Sequence, residues 1–225
     1  MTYFISDVHG EYCLFFRLLD KIKFSPADRL YVLGDMIDKG TESVRLLNAV
    51  SSMTDASCII GNHEYDFLKY YRAVMRETHD GFDEVLNRLQ AYFPSDTARL
   101  TWEILDWMDR LPHFVCSKGF VGVHAGVPLF PDGTLKPLEK SPIEDFVYDR
   151  NFKNPKTLVN DDRTVLFGHT PTCYFNGTGE IILYPRRNGK GYSRVHLDTG
   201  VALTGLLGCF CLETGECLYE RKEEI

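Results

Sequence analysis

Three times within the first 75 residues, a short apolar run breaks off at a turn loaded with chemical groups. Tyr3-Phe4-Ile5 gives way to Ser6-Asp7-Val8-His9-Gly10. Leu30-Tyr31-Val32-Leu33 gives way to Gly34-Asp35-Met36-Ile37-Asp38-Lys39-Gly40, and Ser57-Cys58-Ile59-Ile60 to Gly61-Asn62-His63-Glu64. Helical apolar spacing follows the first turn at Leu14, Phe15, Leu18, Leu19 and Ile22. This alternation of strand, turn and helix predicts an α/β fold with a largely parallel sheet. Ligands in such folds bind at the carboxyl edge of the sheet, where these turns lie. Read alone, Asp35 and Asp38 are explained equally well as helix caps.

The rest of the chain adds two more strand ends of the same kind. Phe120-Val121-Gly122-Val123 pairs with His113-Phe114-Val115-Cys116 as a hairpin and ends in His124-Ala125-Gly126. Thr164-Val165-Leu166-Phe167 ends in Gly168-His169. Between the two groups, a helical insertion is predicted at about 65–110, with Asp96 as N-cap of the helix carrying Leu100, Ile104, Leu105 and Met108. Trp102 and Trp107 would pack it down, and Tyr65, Tyr70 and Tyr71 read as packing residues. Ser141-Pro142 predicts a helix start, with Ser as cap and Pro as first residue. Strands follow over Glu180 to Tyr184, Arg194 to Leu197, Leu206 to Leu212 and Cys217 to Tyr219. No linker divides the chain, so a single domain over 1–225 is expected.

Composition narrows the partners. A net charge of −7 argues against nonspecific nucleic-acid or anionic-membrane binding. The seven cysteines form no Cys-x-x-Cys pair and mostly sit in apolar runs, as free thiols do in a reduced compartment. No basic segment followed by an apolar stretch opens the sequence, and a cytoplasmic chain is expected.

Five strand ends thus deliver Asp7, His9, Asp35, Asp38, Asn62, His63, His124 and His169. Turn chemistry explains any one of them but not the set. Carboxylate, imidazole and amide oxygen together suit Mn, Fe or Zn, and thiolates, the usual ligands of structural zinc, are missing. The donors are too many for one tetrahedral ion. They suggest two divalent metal ions bridged by one carboxylate, a pairing suited to phosphate ester hydrolysis.

In order, Ser6-Asp7-Val8-His9-Gly10, Gly34-Asp35-Met36-Ile37-Asp38-Lys39-Gly40, Gly61-Asn62-His63-Glu64, His124-Ala125-Gly126 and Gly168-His169 resemble the signature blocks of the calcineurin-like metallophosphatases. The match looks closest to the phosphoprotein phosphatase (serine/threonine phosphatase) family, in its bacterial-type branch, which Leu197-Asp198-Thr199-Gly200 also resembles. The resemblance implies a β-sandwich of two mixed sheets flanked by helices. It implies one ion on Asp7, His9 and Asp35, and a second, with manganese expected, on Asp35, Asn62, His124 and His169. His63 would be the general acid, oriented by Asp38, and a bridging hydroxide would attack phosphorus directly. Lys39 stands where the family usually has Arg. It and Arg150 would bind substrate phosphate, while Arg186 and Arg187 read as a solvated turn.

The implied substrate is a phosphate monoester, phosphoserine or phosphothreonine in a protein, with small phosphoesters also accepted. An alternative is symmetrical hydrolysis of dinucleoside polyphosphates such as diadenosine tetraphosphate. Relatives of that kind often lack an acid at the position of Asp38 and read Gly-Asn-His-Asp, so Asp38 and Glu64 favour the phosphoprotein branch. A non-catalytic binding protein of the same fold is disfavoured by the complete ligand set.

Overall fold

The computed structural model describes residues 1–77 and 81–223. Its strands are β1 (Thr2–Ile5), β2 (Arg29–Val32), β3 (Ala56–Cys58), β4 (Phe114–Cys116), β5 (Phe120–Val123), β6 (Thr164–Phe167), β7 (Ile182–Pro185), β8 (Tyr192–His196), β9 (Leu206–Cys211) and β10 (Cys217–Arg221). The helices are α1 (Tyr12–Lys21), α2 (Ser43–Ser51), α3 (Asn62–Glu77), α4 (Phe82–Gln90), α5 (Trp102–Asp109), α6 (Ile143–Val147), α7 (Cys173–Asn176) and α8 (Val201–Thr204).

The strands form two five-stranded mixed sheets, ordered β10-β9-β1-β2-β3 and β4-β5-β6-β8-β7. In the first, β1, β2 and β3 run parallel, and the C-terminal hairpin of β9 and β10 adds antiparallel to β1. In the second, β5, β6 and β8 run parallel between antiparallel β4 and β7. This is the architecture expected of a calcineurin-like metallophosphatase.

Why β1 lacks a polar alternation is now plain. Phe4 lies in an apolar layer with Leu33, Phe120, Leu166, Val195 and Phe210, drawn from both sheets, and its ring meets Phe120 edge-on at 4.9 Å. Tyr3 and Ile5 join the other core, with Leu14, Phe15 and Leu18 of α1. A strand buried on both faces reads as a continuous apolar run.

Among the described residues, all six parallel strands, three in each sheet, lead into a turn that carries a polar or ionisable side chain, one more than the five expected. The sixth end is that of β8, which leads to buried Asp198.

Two expected caps are placed differently. α5 begins at Trp102, with Thr101 as its cap accepting from the Ile104 N–H at 3.4 Å. Asp96 instead accepts from the Val44 N–H at 2.5 Å, capping α2 from across the fold. It lies six residues before the start of α5, too far to reach it, and the first turn of α2 supplies its partners, the N–H groups of Val44 and Arg45. α6 begins at Ile143 with Pro142 in the cap position, and the Ser141 hydroxyl donates to the Pro137 carbonyl at 3.1 Å. Residues 78–80 of the expected helical insertion lie outside the described residues.

Candidate metal centre

His124, at the end of β5, has its Nδ1 2.9 Å from the Leu33 carbonyl. A carbonyl only accepts, so Nδ1 carries a proton, and in the neutral ring Nε2 offers a lone pair. That Nε2 lies 3.0 Å from Asn62 Oδ1, 3.2 Å from His169 Nδ1 and 3.4 Å from Asp35 Oδ1. His169 Nδ1 is itself 2.7 Å from Asn62 Oδ1. Four donor atoms from both sheets converge with few protons among them. Ligands held tetrahedrally at about 2.1 Å from an ion stand roughly 3.4 Å apart, so this spacing suits a divalent cation.

The same logic applies to His9. Its Nδ1 is 2.8 Å from the Ile37 carbonyl, which leaves Nε2 as a lone pair 3.8 Å from Asp35 Oδ2. His63 Nε2 is also 3.8 Å from Asp35 Oδ2. Two trios therefore share Asp35: His9, Asp35 and His63, and Asp35, His124 and His169. Together they form a His/Asp centre suited to two divalent ions. Asn62 joins the second trio. Asp7 falls in neither; its carboxylate accepts from the Ser6 hydroxyl and from the His169 N–H at 3.1 Å.

Electrostatics fit a cation. Burial holds the Asp35 carboxyl well above the usual range, and the charges of Asp7 and Glu64 push it the same way. Buried carboxylates in such a cluster are normally paired or bound to metal. Burial also opposes the charge on Asp7, but His124 and His9 outweigh it and hold that group low. Burial pushes His9 down to about 4, and burial with the neighbouring His124 pushes His169 down to about 3. Both are therefore neutral near pH 7, the form that ligates metals. Among the described residues, buried His169 Nε2 has no hydrogen-bond partner.

The turns that present these groups are held by Glu64, a residue read from the sequence only as a family marker. It lies in the first turn of α3 and is fully buried. Its Oε2 accepts from the N–H groups of Asp35 at 2.8 Å and Gly61 at 2.9 Å, and its Oε1 from Met36 at 2.7 Å and Ile37 at 3.1 Å. A Cβ at Gly61 would collide with the Asp35 carboxylate, and one at Gly168 with that of Asp7. Apart from Lys23, the described non-glycine residues with positive φ are Asp7, His9, Asp35, Asp38, Lys39 and His169, all in these turns.

His63 Nδ1 lies 2.6 Å from Asp38 Oδ2. Tyr92, from the helical insertion, donates to the same oxygen at 3.3 Å, a contact for which the sequence held no signal. Lys39 Nζ is 2.7 Å from His9 Nε2. Lys39 and Arg150 both border a cleft of about 250 Å³ with His9, Asp35, Asn62, His63, His169 and Asp198. Arg186 stands elsewhere, donating to the carbonyls of Asp161 and Asp162 at 2.5 and 2.7 Å. Asp198, whose carboxyl burial raises well above the usual range, accepts from the Gly200 N–H at 2.8 Å. The strand-end rule would have found it.

Paired mixed sheets with a His/Asp centre at their strand ends define a class of metal-dependent hydrolase folds. The family model described as calcineurin-like phosphoesterase matches residues 2–191, and the chain belongs to that family. A symmetrical bis(5'-nucleosyl)-tetraphosphatase of Aromatoleum aromaticum is 34% identical over 139 residues, covering 60% of this chain and 46% of the relative. One of the same name from Pseudomonas fluorescens is 29% identical over 161 residues, covering 68% and 52%. The chain spans about half the length of the curated relatives it matches. A solved structure provisionally assigned as a diadenosine tetraphosphatase superposes with a TM-score of 0.69 at 16% identity, over 99% of this chain and 94% of that one, a likeness of fold.

These relatives overturn the expected placement in the serine/threonine phosphatase branch. The signal from Asp38 and Glu64 failed for a physical reason. Asp38 serves the His63 ring and Glu64 serves four backbone N–H groups. Neither contact depends on what the phosphate is attached to.

Among the described residues, no helix is long and apolar enough to cross a membrane.

Proposed function

We propose that this protein hydrolyses bis(5'-nucleosyl) tetraphosphates symmetrically, releasing two nucleoside diphosphates. The observation that carries the reading is the double cluster pivoting on Asp35. Similarity to the symmetrical tetraphosphatases supports the choice of substrate. In this reading Asp7, His9 and Asp35 hold one divalent ion, and Asp35, Asn62, His124 and His169 hold the other, with manganese the first to test. Bound there, the ions supply charge for the phosphoryl oxygens and make water acidic enough to attack near neutral pH.

The water oxygen bonds to the second phosphorus of the chain, and the bond from that phosphorus to the central bridging oxygen breaks. One diphosphate gains the hydroxyl of water and the other its proton. His63 is the residue poised to deliver that proton. Burial alone would lower its pKa, but the hydrogen bond to Asp38 and the charge of Asp35 outweigh burial and raise it. Asp38 also fixes the ring, so that Nε2 faces the centre. Arg150 and Lys39 grip phosphoryl oxygens at the border of the cleft, Arg as a fork and Lys as a point charge.

The test is to incubate manganese-loaded protein with diadenosine tetraphosphate and to resolve the products by anion exchange. ADP as the sole nucleotide product is expected. Absence of turnover, or formation of ATP with AMP, overturns the proposal. Faster turnover of a phosphopeptide than of the tetraphosphate would also overturn it.

A further inference from the structure

The cleft that holds Lys39, His63 and Arg150 has a second wall of opposite character. Pro171 and Tyr174, from the segment after β6 and from α7, and Ala202 and Leu203 of α8 border it. Tyr174 is 67% exposed and Leu203 62% exposed, among the most exposed large apolar side chains described. Both belong to four-residue helices that follow strand ends of the metal centre, α7 after His169 and α8 after Asp198. The same strand ends therefore supply the polar floor and the apolar wall.

An exposed tyrosine ring beside a cationic, metal-suited floor needs a ligand with both an anionic and a flat apolar part. A phosphoserine or phosphothreonine side chain has the anion but no plane of its own to stack. A nucleoside phosphate has both. The volume, about 250 Å³, lies below the range of roughly 300–1,000 Å³ usual for whole small-molecule ligands. One nucleotide half fits such a cleft better than an entire dinucleotide.

We infer that Tyr174, with Leu203 on the same apolar wall, is the platform on which one nucleobase of the substrate stacks while its phosphates reach the metal centre. The inference rests on the proposed tetraphosphatase reading and deepens it. Base stacking on an aromatic ring is tolerant of base identity, so adenine and guanine nucleotides are both accepted. The second nucleoside lies outside the cleft and contributes little to affinity.

The experiment is calorimetric titration of manganese-loaded wild type, Tyr174→Ala and Tyr174→Phe with ADP and, separately, with inorganic pyrophosphate. Loss of a stacked base weakens binding by roughly tenfold or more. ADP should therefore bind Tyr174→Ala about tenfold more weakly than wild type, and Tyr174→Phe nearly as well as wild type. Pyrophosphate, which has no base, should bind all three alike. Diadenosine tetraphosphate should show a raised KM and unchanged kcat in Tyr174→Ala, as loss of uniform binding requires. The inference fails if ADP affinity is unchanged in Tyr174→Ala, or if pyrophosphate weakens in parallel. If ADP binding depends on Tyr174 but the tetraphosphate is not turned over, the tetraphosphatase reading fails and the base platform stands. Tyr174 is too exposed for its truncation to unfold the chain, and matched thermal melts check this.

Discussion

Oε2 of Glu64 accepts the backbone N–H of Asp35 at 2.8 Å, which couples the third strand end to the second through a buried carboxylate. With four N–H groups on two oxygens, no lone pair is free for a proton-bearing substitute. In Glu64→Gln an amide nitrogen would face two backbone donors. Each orphaned buried donor costs about 1–3 kcal/mol, so a loss of roughly 2–6 kcal/mol is expected. Urea unfolding should show it as a lower midpoint with an unchanged slope, together with weaker manganese binding. A variant within 1 kcal/mol of wild type would falsify the structural role.

The contact between Asp38 and His63 predicts a leaving-group effect. A general acid of this kind contributes about 10²–10⁴-fold where the departing group is strongly basic. Alkoxides are such groups, while a departing diphosphate is a weak base. His63→Asn should therefore slow an alkyl phosphate far more than diadenosine tetraphosphate. Equal losses in kcat on both substrates would show that His63 acts on something other than the leaving oxygen.

Lys39 places a cation 2.7 Å from the lone pair of His9. Lys39→Ala should tighten manganese binding by roughly tenfold or more through relief of repulsion, while raising KM for phosphate esters. Lys39→Arg should instead lower KM, because a fork holds two phosphate oxygens. Metal titration by calorimetry and steady-state kinetics separate the two effects. Weaker metal binding in Lys39→Ala would mean that the lysine supports His9 rather than opposing the ion.

Metal binding should stabilise the fold as well as the chemistry, since Asp7, Asp35 and Asp198 are buried together. A ligand at 100 times its Kd adds about 2.7 kcal/mol. At about 2–4 °C per kcal/mol for a chain of this size, saturating manganese should raise Tm by about 5–11 °C over chelated protein. No shift would place the metal outside this buried cluster.

The parts of the site that could be read in advance were those written locally. Asp7, Asp35, Asn62, His124 and His169 each follow an apolar run, and a strand places its end group by geometry alone. The contact between Asp38 and Tyr92 spans 54 residues, and that of Asp96 with Val44 spans 52. Periodicity carries no trace of such pairs, because they depend on how the helical insertion folds back over the second strand end. The C-terminal hairpin was legible as β9 and β10, but its return to β1 was not, since register between distant strands is set by packing. Substrate class was the least legible. The residues that differ between branches are tied up in holding the shared centre, and the walls that meet the rest of the substrate come from short segments such as α7 and α8.

Left-handed backbone at Asp7, His9, Asp35, Asp38, Lys39 and His169 has a consequence for laboratory evolution of this chain. Such conformations cost non-glycine residues on the order of 1 kcal/mol, and glycine adopts them freely. At Lys39, with φ of 62°, a glycine would relax the chain while deleting the lysine side chain. Rounds of selection for heat resistance without selection for turnover should therefore enrich glycine at this position. The survivors would be robust and inert, their loss of function arriving as a gain in melting temperature.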